Sequence, residues 1–353
     1  MAYTTIKKPS DYFNTVLYTG NGTDDRSITG VGFKPDWVWY KERSNVGDQT
    51  VHDVVRGAGE RLFPNDTAAE SLDANSLQAF ETDGFQIGTN TDVNGNGETY
   101  VAWNWLADNT TGSSNTDGSI TSTVSANTTS GFSIVSYTGT GANATVGHGL
   151  GSLPGMVIVK GRNTTSTNHW FVFHQNSQSS YSASGSAILL LNASNAVDTV
   201  GVGGVWNNTS PTSSVFNIGT ENGVNESGKD FIAYCFAEKQ GFSKFGSYTG
   251  NGNADGTFIY TGFKPAFVMF KITNTTGNWY LNDTARRSIN VNSYTLFPNL
   301  SNAETTTGAY IDMLSNGFKL RDTGAAINGS GNNFIYMAFA EEPLVGDNPA
   351  TAR

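Results

Sequence analysis

One pattern recurs three times along the chain. Tyr18-Thr19-Gly20, Tyr137-Thr138-Gly139 and Tyr248-Thr249-Gly250 each open a segment, and a proline follows each tyrosine 17 positions later, at Pro35, Pro154 and Pro265. Three residues past each proline stands a valine (Val38, Val157, Val268), and six past it a lysine (Lys41, Lys160, Lys271). The copies lie 119 and then 111 residues apart. That period is a whole domain, not a solenoid unit of roughly 20 to 50 residues.

The copies also close alike. Residues 100–105, 231–238 and 334–341 are aromatic-rich runs, each preceded by a second short run at 84–88, 215–219 and 317–320. β-Branched and aromatic runs separated by Asn, Gly, Asp and Ser clusters read as short strands joined by tight turns. Helical periodicity is confined to residues 66–80, which fit either one short helix or a loop. The reading is an all-β chain of three tandem antiparallel β-sandwich, jelly-roll-like domains. The first spans residues 1–108, a polar linker 109–130, the second domain 131–240 and the third 241–353. Only Lys239 and Gln240 separate the second copy from the third, so these two are expected to be stiffly coupled and the first more loosely. Residues 1–11 can be read as an arm inserted into a neighbour.

Composition narrows the function classes. Aromatics make up 12% of the 353 residues and seven are tryptophan, which argues against disorder. Twenty basic residues are scattered among 30 acidic ones, giving a net charge of −10. A nucleic-acid binder needs clustered Lys and Arg, so no nucleic-acid partner is expected. The single cysteine, Cys235, rules out an intrachain disulfide and reads as a small buried hydrophobe. No secretory signal or 18-residue apolar stretch is visible, so no membrane insertion is expected.

Candidate sites are few. Asp92-Val93-Asn94-Gly95-Asn96-Gly97 matches the start of a calcium loop, with oxygen ligands offered by Asp92, Asn94 and Asn96. The glutamate such a loop needs at its twelfth position is replaced by Trp103, and an Asn-Gly turn is the alternative. No other cofactor is expected. Asp53 and Arg56 recur as Asp283 and Arg286, either as a carboxylate and guanidinium in a binding groove or as an ion pair bracing a loop. The second copy has His174 at the aspartate position. His148, His169 and His174 are spaced poorly for a shared metal. Trp206, in a Gly- and Asn-rich stretch, is the candidate exposed ring for glycan contact. The G-x-S-x-G, H-E-x-x-H and P-loop patterns do not occur, so no catalytic residue is assigned and the chain is read as a non-enzyme.

Several stretches resemble a known family. They are residues 231–238, 241–252 and 262–268, then Ser315-Asn316-Gly317-Phe318-Lys319-Leu320 and Tyr336-Met337-Ala338-Phe339-Ala340-Glu341. These are similar to concanavalin-like or jelly-roll structural domains of tailed, especially marine, bacteriophages. The resemblance runs from Tyr18 to Glu341 and is most specific in the third copy. It implies a virion structural protein, assembled in the host cytoplasm and tail-associated as fibre, tip or fibre-associated part. It transfers no catalytic residue; contacts with other virion proteins, homo-oligomerisation and host attachment, with a cell-surface glycan as a partner to be tested, are the expectations for such a part. A capsid decoration protein and a carbohydrate-binding, lectin-like module are the alternatives.

Overall fold

The structure is a computed structural model that describes residues 3–164, 168–177, 187–198, 202–345 and 349–350. It is all-β and antiparallel. Each copy builds an inner sheet in the same strand order. An opening strand (Phe13–Thr19, Phe132–Thr138, Ser243–Thr249) pairs with a closing strand (Thr99–Trp105, Asp230–Ala237, Asn333–Pro343). The closing strand pairs with a lysine-bearing strand (Trp37–Glu42, Pro154–Gly161, Phe263–Ile272). That strand in turn pairs with a fourth (Gln49–Asp53, Trp170–His174, Trp279–Asp283). A smaller outer sheet covers one face of each inner sheet. In the third copy it comprises Phe258–Tyr260, Gly317–Leu320 and Ile311–Leu314.

Alternation along the lysine strand shows how the layers form. Val38 and Tyr40, Val157 and Val159, and Val268 and Phe270 point outward, each set into the core of its own copy. Trp37 and Trp39, Met156 and Ile158, and Phe267 and Met269 point inward, into one core that all three copies share. The copies are therefore not three sandwiches in a row. Their inner sheets face a common axis, and six of the seven tryptophans are buried there.

Trp105, Phe236 and Phe339 occupy the same position in the three closing strands and meet at the centre. Their ring centroids are 5.7 Å (Trp105–Phe339), 6.1 Å (Phe236–Phe339) and 6.5 Å (Trp105–Phe236) apart. Trp37 stacks on Tyr234 of the second copy at 4.5 Å, and Phe13 stacks on Phe339 of the third at 5.0 Å. The first copy is thus packed as tightly as the others, contrary to the looser coupling expected from residues 109–130. Ser113–Asn115 and Ser122–Asn127, within that stretch, extend the second inner sheet beside its opening strand. A polar sequence suits an edge strand, where one face meets water. Residues 66–80 form no helix: Asp73 bonds the backbone N–H of Asn75 in a turn between the strands Ser71–Leu72 and Leu77–Glu81. The N-terminal arm folds onto its own chain. Tyr3 donates to the Gly262 carbonyl at 2.6 Å, and Ile6 joins the shared core.

The repeated Tyr-Thr-Gly has one structural role in all three copies. The tyrosine hydroxyl donates to a carbonyl of a one-turn helix, that of Val93, Val224 or Ile327. A Cβ on Gly20, Gly139 or Gly250 would overlap the carbonyl oxygen of the residue after that helix, Gly95, Glu226 or Gly329. Glycine is thus required by the close approach of two backbones.

Because one core serves three copies, unfolding by scanning calorimetry is expected as a single transition. Trp105→Ala is expected to destabilise the whole chain by about 3–5 kcal/mol. A fragment of residues 109–240 is expected to lack the dispersed amide spectrum of a folded domain. A folded fragment or separate transitions would show that the copies are autonomous.

Candidate functional site

The polar side chains of the repeats converge at the three seams between copies, all in the same rotational sense. Lys41 donates to the Ser301 carbonyl of the third copy at 3.2 Å, and Lys160 to the Thr67 carbonyl of the first at 3.2 Å. Lys271 donates to the Ser194 carbonyl of the second at 3.4 Å. The residue paired with each lysine does the same. Gln49 Nε2 reaches the Phe297 carbonyl at 2.7 Å, Trp170 Nε1 that of Phe63 at 2.8 Å, and Trp279 Nε1 that of Leu190 at 2.9 Å. Two residues past each acceptor, Asn299, Asn65 and Asn192 accept through Oδ1 from the backbone N–H of Trp279, Gln49 and Trp170 in their own copy, which holds each acceptor segment in place.

Asp53, Arg56, Asp283 and Arg286 lie in these seams, fully buried, and line no groove. Arg56 pairs with Asp53 at 2.5 Å and with Glu70 at 3.0 Å, and Glu70 pairs with Arg162 of the second copy at 2.6 Å. Tyr234 of the second copy donates to Asp53 at 2.7 Å. Burial opposes the Arg56 charge, but Asp53, Tyr234 and Glu70 together hold its pKa above the ordinary value. The seam between third and first copies repeats the set. Arg286 pairs with Asp283 at 2.6 Å and Glu304 at 2.8 Å, Arg43 donates to Glu304 at 2.9 Å, and Trp103 Nε1 donates to Asp283 at 3.0 Å.

The seam between second and third copies lacks every member of this set at once. Matching strand positions place His174 for the aspartate, Ser177 for the first arginine and Thr273 for the second. Val197 stands for the glutamate, because its N–H bonds to the Thr273 carbonyl as those of Glu70 and Glu304 bond to Arg162 and Arg43. Met337 stands where Trp103 and Tyr234 donate, and has no hydrogen to give. His174 Nε2 bonds the Tyr336 carbonyl at 3.1 Å, while its Nδ1 accepts from Asn176. That is a neutral imidazole, its pKa lowered to about 4 by burial.

The other sequence candidates, His169 excepted, lie apart from the seams. Asn94 is buried, donating through Nδ2 to the Thr23 and Gly88 carbonyls and accepting from the Asn21 N–H and Arg26. Asn225 and Asn328 brace the corresponding turns in the same way. Asp92 lies 3.3 Å from Arg61, and Asn96 is exposed. The Asp92–Gly97 sequence is thus one instance of a turn the fold uses three times. Trp206, expected as an exposed ring, is 2% exposed and packs edge-on against Phe173. It closes the outer core of the second copy, as an indole does more readily than it faces water. His148 is buried against the Thr212 carbonyl, and His169 contacts Asn192. The seam partners Glu70, Arg162, Glu304 and Arg43 were not singled out from sequence. The recurrence of Phe63-Pro64-Asn65 as Phe297-Pro298-Asn299 is the signal that marks this region.

One family model, described as a domain of unknown function (DUF7483), matches residues 8–343. The chain belongs to this family. The match runs through all three copies, so the DUF7483 unit is the closed set of three. No curated protein and no solved structure matches the chain.

Breaking one member of a buried charge set strands its partner. Asp53→Asn is expected to cost about 3–5 kcal/mol in denaturant unfolding. Transplanting the uncharged set as D53H/R56S/E70V/R162T/Y234M is expected to cost less than that single change. A larger cost would show that the two kinds of seam are not interchangeable.

Burial lowers the pKa of Lys160 to about 7, and of Lys41 and Lys271 to about 8. Between those values and the unfolded lysine value the unfolded chain holds more protons, so stability rises with pH. The thermal midpoint is expected to climb from about pH 7 to 9, and Lys160→Met to flatten that climb. A wild-type midpoint constant over this range would contradict the assignment.

Proposed function

We propose that this chain is a structural part of a virus particle, most simply of a bacteriophage tail, acting by assembly and binding rather than catalysis. The observation that supports this best is where the repeated polar groups lie. The lysines, the indole N–H groups and the Asp–Arg–Glu sets are turned into the seams, where they lock three lobes together. One chain thereby presents the pseudo-threefold outline that a homotrimer presents with three, a shape suited to a threefold position in a larger symmetric assembly.

The outer faces differ from copy to copy, as expected where contacts are specific. Phe258 and Tyr260 on the third outer sheet are 44% and 54% exposed. The register places Ser27 and Thr29 at these positions in the first copy, and Thr145 and Gly147 in the second. Cryo-electron microscopy of intact particles tests the reading. Density for the chain at the tail is the expected result, with incorporation reduced by F258S/Y260T. Density across the capsid lattice would make it a decoration protein, and absence from particles would overturn the proposal.

A further inference from the structure

The three seams also differ in how one equivalent space is filled. The space lies between the residue after the repeated proline, the residue after the fourth strand, and the opening strand of the next copy. At the first seam these positions hold Asp36, Val54 and Ile134, and the Asp36 carboxylate also accepts the N–H groups of Ala107 and Asn109. At the second they hold Gly155, Gln175 and Phe245, with the Phe245 ring against Gly155 and Gln175 Nε2 donating to the Phe245 carbonyl at 2.6 Å. At the third they hold Ala266, Thr284 and Thr15, all small. A cavity of about 250 Å³ lies there, open on one side and lined by these three residues.

The lining has the mixed character of a small-molecule site. Ser10 and Thr284 supply hydroxyl groups, while Thr15 lines the cavity with its Oγ1 buried away from it. The Glu341 carboxylate lies at the cavity, with Oε1 already held by Lys264 at 2.6 Å. Phe13, Ala285 and Ala340 complete an apolar wall. No Lys or Arg lines the cavity, which disfavours a phosphate or other anion, and the carboxylate there is already paired, which disfavours a free cation.

We infer that this cavity binds one neutral sugar residue, a pyranose whose hydroxyls meet Ser10, Thr284 and Glu341 and whose C–H face lies on the alanine wall. The volume suits a single ring, and concave sites with a few converging polar groups are the usual form of small-ligand sites. The site rests on the geometry of one seam and is independent of where the chain sits in a particle.

Saturation-transfer NMR on the full chain with free glucose, galactose, mannose and N-acetylglucosamine tests it. Transfer to at least one of these is expected. Thr15→Ile, which installs the residue of the second copy, is expected to weaken binding on the order of tenfold or more while leaving the melting temperature unchanged or raised. Thr284→Gln, the fourth-strand counterpart, is a second blocking variant should the first misfold. No transfer from any of the four sugars, or transfer that survives both substitutions in folded protein, would overturn the inference.

Discussion

The meeting of Trp105, Phe236 and Phe339 at the centre of the molecule is the contact on which the rest of the arrangement depends. Each lies on the inward face of a closing strand, and each needs the other two copies to exclude water from it. An inner sheet that buried only its outward face would expose a contiguous aromatic surface far larger than soluble monomers tolerate. Association of the copies is therefore a condition for folding any of them. A chain with only one cysteine and modest hydrophobic content thus gathers six of its seven tryptophans into one shared core larger than any single copy encloses.

Around that core the seams supply direction. Hydrophobic packing is non-directional, and three similar sheets can slide or rotate on one another. Lys41, Lys160 and Lys271, with the side chains paired beside them, fix the register by donating to backbone carbonyls of one neighbour only, always in the same sense. Such head-to-tail contacts generate either an open filament or a closed ring. Here the third copy reaches the second, the second the first and the first the third, so the ring closes within a single chain. The seam of His174, Thr273, Val197 and Met337 shows that buried charge is not essential to this closure. It also shows that the charges are replaced as a set, as expected where a half-satisfied polar network costs more than an apolar one.

The all-β class, the number of copies and the principal strands were legible in the sequence, because alternation and the Tyr-Thr-Gly to proline spacing are local. The common core was not. Trp37 and Val38 are adjacent and both apolar, and nothing local says that one faces a foreign copy while the other faces its own. Periodicity reports which residues share a face but not what covers it. Trp206 shows the same limit: its glycine- and asparagine-rich surroundings suggested a surface loop, but the ring fills the outer core of the second copy. Asp53 with Arg56 was visible as a recurrent pair, and Asp92 with Asn94 as an oxygen-rich turn. Their roles depend on Glu70, Arg162 and Tyr234 in one case and on Thr23 and Gly88 in the other, all distant along the chain or unremarkable in it.

A closed ring of three related lobes also differs from a true trimer in one physical respect. In a homotrimer, any change that suits one seam is imposed on all three. In a single chain each seam and each outer face can change alone. Thr15 can stand where another copy has Phe245, and Phe258 where another has Ser27, while the core that depends on all three copies is unaltered. The fold thus confines its shared requirement to the axis and leaves the periphery free to differ. Specific function is accordingly to be sought where the copies disagree, at the third seam and on the third outer sheet, and not in the repeated motif that first identifies the chain.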